Sequence, residues 1–148
     1  NFTMALAPLF GRVLATEVSK TSVKAANYNL AANAIDNVAV ARLSSEEVSA
    51  AMAGTQTFKQ LQAIDLGQYN FSTIFVDPPR SGLDAQTLEL ASRFDNILYI
   101  SCNPESLQQN VEALQATHEI SAAAVFDQFP YTHHLESGLL LTRRQQAG

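Results

Sequence analysis

The chain holds a single thiol, Cys102, between the apolar run Ile97-Leu98-Tyr99-Ile100 and the pair Asn103-Pro104, which suits a helix start. A lone cysteine there is either a small buried hydrophobe or a nucleophile, since unpaired N–H groups and the positive end of a following helix favour thiolate. Asp77-Pro78-Pro79-Arg80 is a second candidate. Two residues of fixed φ after an apolar run hold the aspartate in a rigid loop, with its carboxylate aimed over a sheet edge. It could hydrogen-bond a cofactor amine or a base edge while Arg80 faces a phosphate; the plainer alternative is a proline-rich turn. Glu17 closes the short run Val13-Leu14-Ala15-Thr16. It is either a solvated strand end or an acceptor for ribose hydroxyls in a nucleotide-binding fold. Glu136 opens an otherwise apolar strand. It is either an edge charge or a carboxylate partly removed from water, with a raised pKa suited to a base. The adjacent His133 and His134 diverge on an extended chain and have no second ligand cluster at a usual spacing, so no metal site is expected.

Periodicity supplies the elements that must position these groups. Phe2, Met4, Ala5, Leu6 and Leu9 predict a short opening helix closed by Pro8 and Gly11. Strands are expected at residues 13–16, 38–43, 73–76 and 96–101, with helices at 19–33, 45–53, 85–93 and 104–117. Ser44-Ser45-Glu46-Glu47 matches a capping box, and Asp84 and Asn103 are plausible N-caps. Residues 55–70 have the weakest pattern, which suggests a short helix and a loop. Two final strands, residues 119–126 and 136–142, should pair antiparallel. Alternating strands and helices imply right-handed βαβ units and a mostly parallel α/β sheet covered on both faces. Ligands of such sheets gather beyond the C-terminal strand ends, where Glu17, Asp77 and Cys102 fall.

The 148 residues carry 14 acidic and 9 basic side chains, a net charge of −5 and one cysteine. A collagen-like, disordered or disulfide-stapled chain is excluded, and no apolar run approaches the ~20 residues of a membrane span. A reducing cytoplasm is the expected location. A sequence pI near 5.0 argues against a general nucleic-acid binder. The acidic excess lies wholly in residues 81–148, with eight acidic and three basic side chains against six of each in residues 1–80. The chain opens on Asn1 without an initiator Met, as though something upstream had been removed.

Taken together, Asn1-Phe2-Thr3, Asp77-Pro78-Pro79-Arg80-Ser81-Gly82, Ser101-Cys102-Asn103-Pro104 and His134-Leu135-Glu136 resemble the RNA 5-methyluridine methyltransferases, which use S-adenosylmethionine. The stretch from Phe126 to Glu136 is most similar to members acting on the T loop of tRNA rather than on ribosomal RNA. The resemblance implies a Rossmann-like class I methyltransferase fold with Cys102 as nucleophile and Glu136 as the base that removes the C5 proton. It implies cofactor contacts at Asn1, Glu17 and Asp77, with Arg80 near RNA or orienting the site. It further implies a tRNA partner and neither DNA nor a membrane, with a monomer at full length. The first strand, its glycine-rich loop and an N-terminal RNA-binding part are absent from these residues. Residues 1–148 are therefore expected to be a partial catalytic domain from a longer polypeptide. An amino-group methyltransferase, for which Arg80 stands where an aromatic is needed, and a non-catalytic RNA-binding module are the alternatives.

Overall fold

The structure is a computed structural model that describes residues 2–127, 130–132 and 135–145. Two compact units divide the chain at residue 70.

In the first unit, α1 (Phe2–Leu6) runs into a 3-10 turn, Ala7–Leu9, where Pro8 leads toward β1 (Val13–Thr16). Asn37 holds this entry in place, its Nδ2 donating to the carbonyls of Ala7 and Phe10 at 2.8 Å each. Helix α2 (Lys20–Ala32) is capped by the Ser19 hydroxyl and ends on Asn33. It leads to β2 (Val38–Ala41), which pairs with β1 in parallel from Val13 opposite Val38 to Thr16 opposite Ala41. The strand stops two residues short of the expected Leu43. Helix α3 (Ser45–Met52) carries the anticipated capping box: Ser44 N–H donates to Glu47 Oε2 at 2.8 Å, and Glu47 N–H donates to Ser44 Oγ at 3.2 Å. The helix expected within residues 55–70 is replaced by two 3-10 turns, Lys59–Leu61 and Leu66–Gln68. No apolar stripe supports a longer helix there, and Asp65 draws Gly67 N–H to its own carboxylate at 3.0 Å, a local bond that competes with helical pairing.

The second unit is built on a four-stranded sheet in the order β3-β4-β6-β5, from β3 (Thr73–Val76), β4 (Asn96–Ser101), β5 (His118–Phe126) and β6 (Glu136–Arg143). β3 and β4 are parallel, whereas β6 runs antiparallel to both β4 and β5. Sequence order suggested the β5/β6 pair but not that β6 would sit between β4 and β5. Side-chain alternation along β4 is clean: Ile97, Tyr99 and Ser101 are buried, and Asn96, Leu98 and Ile100 are half-buried. The buried row joins Val76 and Leu141 against Ala91 of α4 (Ala85–Ala91) and Leu107 and Leu114 of α5 (Pro104–Leu114). Both helices of this unit thus cover the same sheet face. Helix α4 begins at the Asp84 cap, whose carboxyl is held below its ordinary value chiefly by the Thr87 N–H. It ends before Arg93 because the N–H groups of Arg93 and Phe94 turn back to the carbonyls of Leu90 and Ala91 in tighter, three-residue bonds.

Candidate active site

Strand register gathers the chemistry at one end of the four-stranded sheet. Val76 pairs with Tyr99, so Asp77 emerges level with Ile100. Ser101 pairs antiparallel with Ser137, so the next residues outward are Cys102 on one strand and Glu136 on the other. The three groups leave three adjacent strands, and at about 4.8 Å per strand they span about 10 Å, room for one planar base and a donor group. Ile100 lies opposite Gly138, and by alternation Glu136 shares that face of the sheet, away from α5. A Cβ at Gly138 would meet Ile100 Cδ1 at 3.2 Å and Phe126 Cε2 at 3.4 Å, so the glycine lets these side chains close over the strand. Phe126 is the cross-strand partner of Glu136 and is partly exposed beside it.

Cys102 is half-buried and free of disulfide bonding. The turn that carries it is fixed on both sides. Asn103 N–H donates to Ser101 Oγ at 3.1 Å, and Ser101 Oγ donates to Asn103 O at 3.0 Å. Asn103 then caps α5 by accepting Glu105 N–H at 3.2 Å, and Pro104 occupies the first turn where its missing N–H costs nothing. Cys102 is thus the residue between the last residue of β4 and the Asn103 cap of α5.

Asp77 lies at an exposed strand end, yet the surrounding protein removes enough water to raise its carboxyl above the ordinary 3.8. A raised value means the ionised form is penalised in the folded state. The penalty is present above the folded pKa and disappears below about 3.8. Asp77→Asn is accordingly expected to raise the thermal midpoint at pH 7, with the gap from wild type closing as pH falls through the acidic range. A gap that is constant or widens toward low pH would show that the carboxylate is not desolvated.

Glu17 is half-buried beyond the end of β1 in the first unit, where its backbone N–H donates to Ala41 O at 3.1 Å. Its Oε1 accepts Ser19 N–H at 2.9 Å. Arg80 is exposed, and its carbonyl accepts Asn103 Nδ2 at 2.8 Å. Asn1, His133 and His134 lie outside the described residues. Among the described residues no group of three or more His, Cys, Asp or Glu is placed to hold a metal. The sequence reading missed Asn110, a buried amide on α5 that accepts both Leu83 N–H and Tyr99 Oη. Its signal was an amide falling between Leu107, Val111 and Leu114 in an apolar stripe.

These features agree with known proteins. The family described as tRNA (Uracil-5-)-methyltransferase matches residues 1–144. The tRNA/tmRNA (uracil-C(5))-methyltransferase of Aromatoleum aromaticum is 73% identical over 97% of this chain and 39% of its own length. That of Teredinibacter turnerae is 61% identical over 97% of this chain and 40% of its own. The chain thus spans about two fifths of the curated relatives it matches. The Pyrococcus abyssi tRNA (uracil-54, C5)-methyltransferase, solved with S-adenosyl-L-homocysteine, superposes with a TM-score of 0.71 at 28% identity, covering 95% of this chain and 31% of that one. An rRNA methylase from Streptococcus thermophilus superposes at 0.66 with 12% identity, covering 98% of this chain and 81% of that one, and shows the fold alone. The fold is the Rossmann-like α/β fold of class I methyltransferases. With its motifs in order, its strand ends in register and a family match running almost from end to end, the chain belongs to the tRNA (uracil-5-)-methyltransferase family.

Proposed function

We propose that these residues supply the chemistry of an S-adenosylmethionine-dependent methyltransferase acting on C5 of a uridine in the T loop of tRNA, giving ribothymidine. The observation that supports the reading is the register that pairs Ser101 with Ser137, so that Cys102 follows the end of β4 and Glu136 opens β6 beside it, with Asp77 following β3 one strand away. Uracil C5 is too weak a nucleophile to accept a methyl group unaided. Addition of the Cys102 thiolate to C6 breaks the C5–C6 double bond and places its electron pair in an enolate, which makes C5 electron-rich. When bound, S-adenosylmethionine supplies the methyl group as an electrophile on a sulfonium. Glu136 takes the proton from the methylated C5, and the electrons of that C–H bond restore the double bond as the C6–S bond breaks and Cys102 leaves as thiolate. Each bond formed to sulfur is broken again, so the thiol is not consumed.

The residues present suit the cofactor. The resemblance gives Glu17 the role of accepting from ribose hydroxyls, and the partly desolvated Asp77 can accept from an amine or a base edge. The resemblance adds Asn1 to this set. Holding thiol, base and donor in one geometry contributes much of the rate, and the target base must leave its stack to arrive. The negative charge of the chain fits this division of labour if RNA affinity resides in other parts of a longer protein.

We also propose that residues 1–148 form a partial catalytic domain of a protein that works as a cytoplasmic monomer. Among the described residues β1 pairs with β2 alone and β3 ends its sheet, edges suited to receiving a further strand. No described helix is long and apolar enough to cross a membrane. The test is to supply the whole protein with methyl-labelled S-adenosylmethionine and mixed tRNA and ribosomal RNA, then map the label. Label at C5 of a T-loop uridine is expected. Label confined to ribosomal RNA, or on exocyclic amines, would overturn the assignment.

A further inference from the structure

Two amides of α5, seven residues apart, both grip the loop that carries Asp77. Asn103 Nδ2 donates to Arg80 O at 2.8 Å. Two turns along the helix, about 10 Å away, Asn110 Oδ1 accepts Leu83 N–H at 2.8 Å, and its Nδ2 faces Leu83 O at 3.4 Å. Ser106 lies between them on the same helix face, and a Cβ on Gly82 would stand 3.1 Å from Ser106 Cβ and 2.7 Å from Asn110 Oδ1. The loop can lie this close only because residue 82 is a glycine, which also adopts φ +78° there. Asn110 is 7% exposed. Tyr99 Oη donates to the same Oδ1 at 2.7 Å, and burial pushes the Tyr99 pKa up to about 12, so the phenol remains a donor. From Arg80 back to Asp77 there are only two residues, both prolines of fixed φ. From Asn103 back to Cys102 there is one peptide bond, and Asn103 N–H is itself tied to Ser101 Oγ.

We propose that Asn103 and Asn110 are positioning residues, using α5 as a rigid yoke that sets the Asp77 carboxylate at a fixed place relative to the Cys102 thiol. The inference rests on the methyltransferase reading above. An apolar residue at 110 would continue the Leu107, Val111 and Leu114 stripe. The buried amide instead satisfies the loop's backbone, which a purely structural core position does not require. The yoke acts on the cofactor side of the reaction through Asp77, so its loss should appear in the KM for S-adenosylmethionine as well as in kcat.

The experiment is steady-state kinetics of the whole protein with tRNA and S-adenosylmethionine, at a temperature where circular dichroism shows each variant folded. Asn110→Ala is expected to raise the cofactor KM and lower kcat, with a combined loss of about 100-fold, the scale of an ångström's misplacement. Tyr99→Phe removes an equally buried bond to the same atom but leaves Leu83 tied, so its constants should stay within about twofold of wild type. Asn103→Ser retains a good helix cap but cannot reach Arg80 O, and it should raise the cofactor KM about tenfold. This variant also decides the matter if Asn110→Ala does not fold. Wild-type constants in Asn103→Ser, or in folded Asn110→Ala, overturn the yoke. Failure of the wild-type protein to methylate uracil in RNA would instead overturn the methyltransferase reading itself.

Discussion

Cys102→Ser in the whole protein is expected to lower methyl transfer to tRNA by at least about 10⁴-fold, to background, while leaving the thermal midpoint within a few degrees of wild type. Serine is nearly isosteric with cysteine, and position 102 is a half-buried turn residue rather than part of the packed row of Ile97, Tyr99 and Leu141. The fold should therefore survive. The chemistry should not, because an alcohol is a far weaker acid and a poorer nucleophile than a thiol, and an un-ionised hydroxyl does not add to C6. A 10⁴-fold loss corresponds to about 5.5 kcal/mol of transition-state stabilisation, too much for a packing change at this site. Methylation within tenfold of wild type would show that no thiolate addition is needed and would favour an amino-group methyltransferase. Radiolabel transfer and differential scanning calorimetry on the same preparation separate the two effects.

Glu136→Gln is expected to slow turnover by about 10²–10⁴-fold in a different manner. Thiolate addition and methyl transfer precede removal of the C5 proton, so the amide variant should complete both and then stall. A covalent protein–RNA species containing the labelled methyl group should accumulate on denaturing gels, where wild type shows little at steady state. Glu136 is the cross-strand partner of Phe126, and the next residue, Ser137, pairs with Ser101 just before Cys102. Its side chain is half-buried at the start of β6 rather than in the core, so the substitution should leave stability near wild type. Slow turnover without a methylated adduct would place the stall before methyl transfer and remove Glu136 from the role of base.

Much of this site was legible because the sequence marks it with residues of narrow conformational use. Two prolines after Val76 end β3 and fix Asp77; Asn103-Pro104 starts α5; Ser44 and Glu47 frame α3. The pairing of strands was less legible. Apolar runs of four to nine residues specify that strands exist, but insertion of β6 between β4 and β5 depends on which edges meet in three dimensions. That insertion is what brings the start of β6, with Glu136, to the end of β4 that precedes Cys102. Asn110 escaped notice because its partners, Leu83 N–H and Tyr99 Oη, lie 27 and 11 residues away, and local pattern carries no trace of such bonds. The turns in residues 55–70 were misread as part helix because Asp65 and Gly67 form their own local bond.

The central claim is the covalent step at Cys102, and trapping tests it most directly. RNA with 5-fluorouridine at the target position can accept the thiolate and the methyl group, but C5 then carries fluorine where Glu136 needs a proton, so elimination is blocked. Incubated with the whole protein and S-adenosylmethionine, it should give a stable one-to-one protein–RNA adduct. Peptide mapping by mass spectrometry should place the modification on Cys102, and Cys102→Ser should give none. Efficient methylation of ordinary tRNA by a wild-type protein that forms no adduct with the fluorinated RNA would contradict the account.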